Sequence, residues 1–172
     1  MTVLLGEFEC RLDSKARIAL PAALRKQLPA AAAGRLVVNR GFEPHLVLYP
    51  FTEWQRISAE LNRLNLYVKK NRDFVRYFHR GATELELDGS GRLLLPRRLL
   101  DYAGISEAVI LLAYANRIEC WDPLRYEQLL SDEPADFARL AEEIMGGTDA
   151  AESGETFPGF RELPPGPPNA RH

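Results

Sequence analysis

The chain is short of the residues that build metal centres and disulfide frameworks. Its 172 residues hold two cysteines, Cys10 and Cys120, and three scattered histidines, His45, His79 and His172. No CxxC and no histidine pair at ligand spacing occurs, so neither a structural metal site nor a disulfide framework is expected. No metal or cofactor is expected, and both cysteines read as small buried hydrophobes. Apolar runs approaching the roughly eighteen residues of a membrane span are missing too. The opening MTVLLGEFEC lacks a basic segment leading into a long apolar one, so no secretion signal is read and a cytoplasmic protein is expected. What remains is an ordinary globular composition, 46% hydrophobic and 27% charged, enough for one compact domain or two small ones.

Charge is nearly balanced at −2, but it is unevenly placed. Between Cys10 and Gly41 seven bases (Arg11, Lys15, Arg17, Arg25, Lys26, Arg35, Arg40) face the single acid Asp13, a net of +6. Residues 55–80 carry seven bases against two acids, and residues 127–172 carry ten acids against three bases. A basic body with an acidic tail keeps a polyanionic partner open despite the overall sign.

The strongest pattern is internal repetition. LDSKARIALP at 12–21 is echoed by LDGSGRLLLP at 87–96, and a shift of 75 aligns Gly6–Arg25 with Gly81–Leu100. Eight of those twenty positions coincide: Gly6/Gly81, Glu9/Glu84, Leu12/Leu87, Asp13/Asp88, Arg17/Arg92, Leu20/Leu95, Pro21/Pro96 and Leu24/Leu99. HLVLYPFTEW at 45–54 then answers RIECWDPLRY at 117–126. Two copies of one unit are too few for a solenoid.

Within each unit the hydrophobic period changes along the chain. Phe8, Cys10 and Leu12 alternate with Glu9, Arg11 and Asp13, as Thr83, Leu85 and Leu87 alternate with Glu84, Glu86 and Asp88, the signature of a half-buried strand. A polar turn returns into RIAL or RLLL. Pro21 and Pro96 stand where a helix start tolerates them, and Gly104 provides a stop in the second copy. Two more strands follow, with turns at Asn39-Arg-Gly and Asn116. Each unit therefore reads strand, turn, strand, helix, strand, turn, strand. Trp54, Ile57, Leu61 and Leu64, then Phe74, Tyr77 and Phe78, sit at helical spacing between the units. Trp54, Tyr77, Trp121 and the phenylalanines are expected in the core. The expected boundaries are a first domain at 6–52, a helical linker at 53–80, a second domain at 81–124, a C-terminal helix at 125–145 and an acidic, Gly/Pro-rich tail at 146–172, expected to be disordered.

The duplicated phrase can be read as chemistry or as recognition. Two aspartates in related units could form an acid/base dyad, but the segments that follow them, Ser14-Lys15 after Asp13 and Gly89-Ser90-Gly91 after Asp88, are not read as the loops of such a dyad. Gly89 and Gly91 form a GxG that leads into a strand, not a helix, so a phosphate-cradling loop is not read either. No enzyme is expected. As recognition, alternation turns Asp13 and Asp88 to solvent at a strand end, where a carboxylate accepts backbone N–H groups across a turn. Ile18 and Leu20, like Leu93 and Leu95, point inward, so Arg17 and Arg92 project from the opposite face. A pair that merely closes a hairpin fits the spacing equally well. Duplication and the +6 surroundings favour contact with DNA, because an exposed, preorganised arginine suits guanine or phosphate. The second basic group, KKNRDFVRYFHR, reads as a solvated helix face as readily as a phosphate contact.

Beyond these patterns, the chain resembles the MraZ family of transcriptional regulators over about residues 1–145. GEFECRLDSKARIALPAALR, LVLYPFTEW, GATELELDGSGRLLLP, the DYAG helix end and NRIECWD carry the resemblance. It implies an α+β fold of two tandem AbrB-type swapped-hairpin units forming a pseudo-two-fold barrel. The implied function is a nucleoid-associated DNA-binding protein that recognises short direct repeats of double-stranded DNA upstream of the division and cell-wall gene cluster, its own promoter included, and represses it. A ring-shaped homo-oligomer is implied as well, with no membrane or small-molecule partner. The alternatives are a protein-interaction scaffold or a nucleoid module without sequence specificity. The family's Asp-x-x-x-Arg motif falls on Asp13 to Arg17 and Asp88 to Arg92, with Ser14 and Lys15 inside the first copy. Ala16 stands where that copy usually has glycine, so a left-handed backbone is less readily reached, and Ser90 stands where the second copy usually has a longer polar residue. The first copy, with Lys15, is expected to make the better DNA contact, and the second, beside Glu84 and Glu86, chiefly to complete the fold.

Overall fold

The computed structural model describes residues 3–131 and 135–146, and all of the expected disordered tail at 146–172 except Gly146 lies outside the described residues. The chain divides into two compact units at Leu129/Leu130. The first repeat contributes β1 (Leu4–Arg11), β2 (Arg17–Ala19), α1 (Ala22–Arg25), β3 (Arg35–Arg40) and β4 (Leu46–Pro50). Two connecting helices follow, α2 (Phe51–Leu61) and α3 (Lys69–His79). The second repeat gives β5 (Thr83–Glu86), β6 (Arg92–Leu94), α4 (Arg97–Ala103), β7 (Ala108–Ala115) and β8 (Arg117–Trp121), and α5 (Pro123–Ser131) and α6 (Phe137–Met145) end the described chain. None of these helices is long and apolar enough to cross a membrane. The expected alternation of strand and helix is met in both copies. Gly104 closes α4 in a left-handed conformation at φ 67°, and Pro21 and Pro96 stand immediately ahead of α1 and α4.

The two repeats are interleaved. A six-stranded antiparallel sheet runs β1-β7-β8-β4-β3-β5, and β2 pairs with β6 in a separate two-stranded ribbon. Exchanging the repeats (β1 with β5, β2 with β6, β3 with β7, β4 with β8) reverses the sheet order onto itself and returns the ribbon to itself. A pseudo-two-fold relation therefore passes between β8 and β4 and through the ribbon. The expected closed barrel is not formed: β1 and β5 remain separate edges of an open sheet. β2 and β6 are three residues long and pair with each other, and β2 meets the β1 side only through the single bridge of Leu12 to Ile18, so no continuous ladder runs from β1 through the ribbon to β5.

Burial follows the alternation read from sequence. Leu4, Leu36, Val38, Leu46, Leu48, Val109, Leu111, Ile118 and Cys120 line one face of the sheet and meet Ile18, Leu20, Leu24, Leu93, Leu95, Leu99 and Leu100 from the ribbon and helices. A second cluster joins Val47 and Tyr49 to Ile57 and Leu61 of α2, with Trp54, Leu64 and Phe78 against it. Asn39, buried on β3, donates to the Phe78 carbonyl at 2.7 Å and so ties α3 to the sheet. Tyr77, Phe42 and Phe137 depart from the expected core placement, being 64%, 79% and 64% exposed, and Phe74 is half-exposed. Helical spacing put Phe74 and Tyr77 on the same stripe as Phe78, but only Phe78 reaches Trp54, at a ring separation of 5.9 Å. Cys120 is fully buried and Cys10 half-buried, and burial raises both thiols above their ordinary value.

The seam between β4 and β8 is pinned by a polar cluster. The His45 ring stacks on Trp121 at 4.2 Å, while the Trp121 indole and the Tyr114 hydroxyl donate to Glu119 at 2.9 and 2.8 Å. Burial pushes the Glu119 carboxyl up, but hydrogen bonds from His45, Trp121 and Tyr114 outweigh it and hold the group down at about 2. In the second unit, α6 starts on Asp136, whose side chain accepts the Arg139 N–H at 3.0 Å, and carries the exposed Phe137, Ile144 and Met145.

Candidate nucleic-acid interface

The two Asp-x-x-x-Arg phrases form two nearly superimposable loops. In the first, the Asp13 N–H donates to the Arg17 carbonyl at 2.9 Å and the Ala16 N–H to the Asp13 carbonyl at 3.1 Å. One carboxylate oxygen, Asp13 Oδ1, accepts the backbone N–H groups of Lys15 and Arg17 at 2.9 and 3.0 Å. The other, Oδ2, accepts Arg17 Nε at 2.7 Å. The second loop repeats every bond: Asp88 N–H to the Arg92 carbonyl at 2.9 Å, Gly91 N–H to the Asp88 carbonyl at 3.0 Å, Ser90 and Arg92 N–H to Oδ1 at 2.8 and 3.0 Å, and Arg92 Nε to Oδ2 at 2.9 Å. Backbone N–H donors, led by that of the arginine, hold both carboxylates below their ordinary value, and the guanidinium adds to the effect.

Closing this turn requires a left-handed residue just before the arginine. Gly91 adopts it at φ 74° and Ala16 at φ 61°. The alanine therefore keeps the loop geometry, with its methyl packed against the core. The two loops are also clasped to each other, since the Leu95 N–H donates to the Ala16 carbonyl and the Leu20 N–H to the Gly91 carbonyl, each at 3.0 Å.

The ribbon then fixes where the arginines point. Its register pairs Arg17 with Leu94, Ile18 with Leu93 and Ala19 with Arg92. Directly opposed residues share a face and successive residues alternate. Ile18 and Leu93, both fully buried, define the inner face. Arg17, Ala19, Arg92 and Leu94 therefore all lie on the outer face, with the two arginine positions on a diagonal about 7–8 Å apart. Each guanidinium is held through Nε alone. Among the described residues neither arginine's two terminal nitrogens have a partner, which leaves a forked pair of donors free at each site. Lys15 and Ser14 are exposed on the first loop, and the Lys15 ammonium meets no acid among the described residues.

One cation of the basic segment 10–41 serves a loop of the other repeat, which the sequence pattern does not show. Arg25, on α1, packs its guanidinium over Gly91, where a Cβ would collide with it. Its counterpart by repeat alignment is Leu100, which is buried. The second loop has Ser90 where the first has Lys15, and Arg25 returns a positive charge to it. The acids flanking that loop are partly engaged: Glu84 accepts Arg35 Nε at 2.6 Å, and that hydrogen bond lowers its carboxyl. In the α3 group, Arg72 donates to the Leu66 and Tyr67 carbonyls and Lys69 pairs with Asp73, so these two serve the local fold.

The comparisons with known proteins agree with this doubled architecture. The model of the MraZ protein family matches the chain twice in tandem, at residues 3–77 and 78–146. A protein of Christiangramia forsetii called transcriptional regulator MraZ is 43% identical over 150 residues, covering 87% of this chain and 97% of its own length. Proteins of the same name from Flavobacterium psychrophilum and Pediococcus pentosaceus are 41% and 33% identical, covering 90% and 82% of this chain and 99% and 96% of theirs. With two matched copies, each bearing the same aspartate-held arginine loop, the chain belongs to the MraZ family.

Proposed function

We propose that the chain is a sequence-specific DNA-binding transcriptional regulator that uses the β2–β6 ribbon as its reading element. The observation that carries the reading is the pair of arginines on one solvent face, each oriented by an aspartate and each keeping both terminal nitrogens for a ligand. A two-stranded ribbon is one of the elements that the major groove of DNA admits. Guanine offers two acceptors there, O6 and N7, which a guanidinium fork meets together. Because Asp13 and Asp88 already fix the side chains, little rotamer freedom is left to lose on binding. Lys15 and Arg25 supply phosphate contacts beside the two loops, and Ser14 a backbone-level polar contact.

The names of its relatives support a role in transcription. On this reading the chain represses the division and cell-wall gene cluster, its own promoter included. It does so as a cytoplasmic, nucleoid-associated homo-oligomeric ring on short direct repeats, with domains at 6–52 and 81–124 joined by the helical segment 53–80. A C-terminal helix at 125–145 and the acidic segment 146–172 follow the second domain. A ring multiplies the ribbon, so evenly spaced repeats engage several copies and each further contact is intramolecular. Footprinting on the DNA immediately upstream of the chain's own gene tests this. Regularly spaced protection is expected, and binding to partner proteins without any protected DNA would favour a scaffold instead.

A further inference from the structure

Two of the four side chains on the outer ribbon face are apolar, and they differ. Leu94 is 57% exposed, lies directly opposite Arg17 and sits two residues along its own strand from Arg92. The core does not account for it, since its neighbours Leu93 and Leu95 point inward and are buried. Its repeat counterpart is Ala19, opposite Arg92. We propose that Leu94 is a specificity-determining residue that contacts the 5-methyl group of a thymine beside the guanines read by Arg17 and Arg92. The proposal rests on the reading that this ribbon enters DNA.

Three observations converge on that occupant. The thymine methyl is the apolar feature that base edges offer in the major groove, and it calls for an apolar side chain within reach of the hydrogen-bonding groups. Leu94 has two guanidiniums as its neighbours on this face, each with uncommitted donors, which suits a polyanion's groove and not an apolar protein patch. The third observation is asymmetry. Exchanging the repeats carries Asp13 onto Asp88 and Arg17 onto Arg92, yet carries Ala19 onto Leu94. A ribbon symmetric in its side chains would read a site equally well in either direction. Leucine on one half and alanine on the other give the ribbon a polarity, so that one orientation on the DNA is favoured over its reverse, as recognition of direct repeats requires.

The test uses the duplex protected in the upstream footprint, with each thymine replaced in turn by deoxyuridine, a change that deletes only the methyl. One such replacement is expected to weaken wild-type binding about fourfold, the Boltzmann factor of burying one methyl-sized group. Leu94→Ala is expected to bind the native duplex with a similar loss and to be indifferent to that replacement. The exchange variant, Ala19→Leu with Leu94→Ala, is expected to move the sensitivity to the position related by the ribbon's pseudo-dyad. Both positions are exposed, so unchanged thermal melting identifies folded variants. Arg17→Ala on the same duplex reports the parent reading separately. Wild type indifferent to every replacement, or Leu94→Ala retaining the full penalty, overturns the role of Leu94 while leaving the arginines' role standing. A wild-type chain that protects no DNA overturns both.

Discussion

Gly91→Ala and Ala16→Gly exchange residues at equivalent left-handed positions, and their effects are expected to be unequal. At Gly91, with φ 74°, an L-residue bears about 1–2 kcal/mol of backbone strain, of which roughly 0.4–1 is returned through a less flexible unfolded chain. The new Cβ also displaces the Arg25 guanidinium, a flexible group that can move. The net is a loss of about 1 kcal/mol. At Ala16, with φ 61°, glycine relieves strain of the same size, loses the same entropy and also forfeits part of the roughly 0.8 kcal/mol of a buried methyl, since this one is half-buried against the core. Those contributions leave Ala16→Gly within about 0.5 kcal/mol of wild type. For a chain of this length a loss of 1 kcal/mol lowers Tm by about 2–4 °C. Thermal unfolding followed by circular dichroism or calorimetry is expected to show Gly91→Ala melting lower by that amount and Ala16→Gly nearly unmoved. A Gly91→Ala variant as stable as wild type, or an Ala16→Gly variant that loses several degrees, would refute the account of these loops.

Other predictions concern the same elements. Leu93→Ala, at a fully buried position under the ribbon, is expected to lose about 2–5 kcal/mol in chemical denaturation and to free the arginines from their common face. The carboxyls of Glu119, Asp13 and Asp88 are all held low in the folded chain, so each contributes stability that is present above its unfolded value near 4 and is lost as pH falls through the folded one. Tm is therefore expected to fall steeply from about pH 4.5 toward 2, and less steeply in Glu119→Gln. Lys15→Ser is expected to flatten the slope of log affinity against log salt by about 0.9, and Ser90→Lys to steepen it by about as much, in fluorescence titrations of the upstream DNA.

The repeat, the strand and helix order and the inner face of the ribbon were legible because each is a local pattern. Alternation placed Ile18, Leu20, Leu93 and Leu95 inside, and the aspartate's acceptor geometry followed from its place at a strand end. Interleaving was not legible from those patterns, because the pairing of β1 with β7 and of β3 with β5 joins residues far apart in the chain through contacts that no local period records. The open sheet is not legible for the same reason, since how far β2 and β6 extend and which strands they meet is set by pairing between distant residues. Arg25 was hidden by the repeat itself, since its partner loop belongs to the other copy. Tyr77 shows the limit of helical spacing, which finds a stripe without saying how much of it a neighbour covers.

The central claim is that one ribbon face, through Arg17 and Arg92, reads DNA. Footprint titrations on the upstream fragment, with wild type, Arg17→Ala, Arg92→Ala and the double variant at a stated salt concentration, test it most directly. Each single change is expected to weaken specific binding by about 1–3 kcal/mol and to relax discrimination at a guanine, with protection lost in the double variant. Wild-type protection retained by the double variant, in a chain that melts normally, would contradict the account.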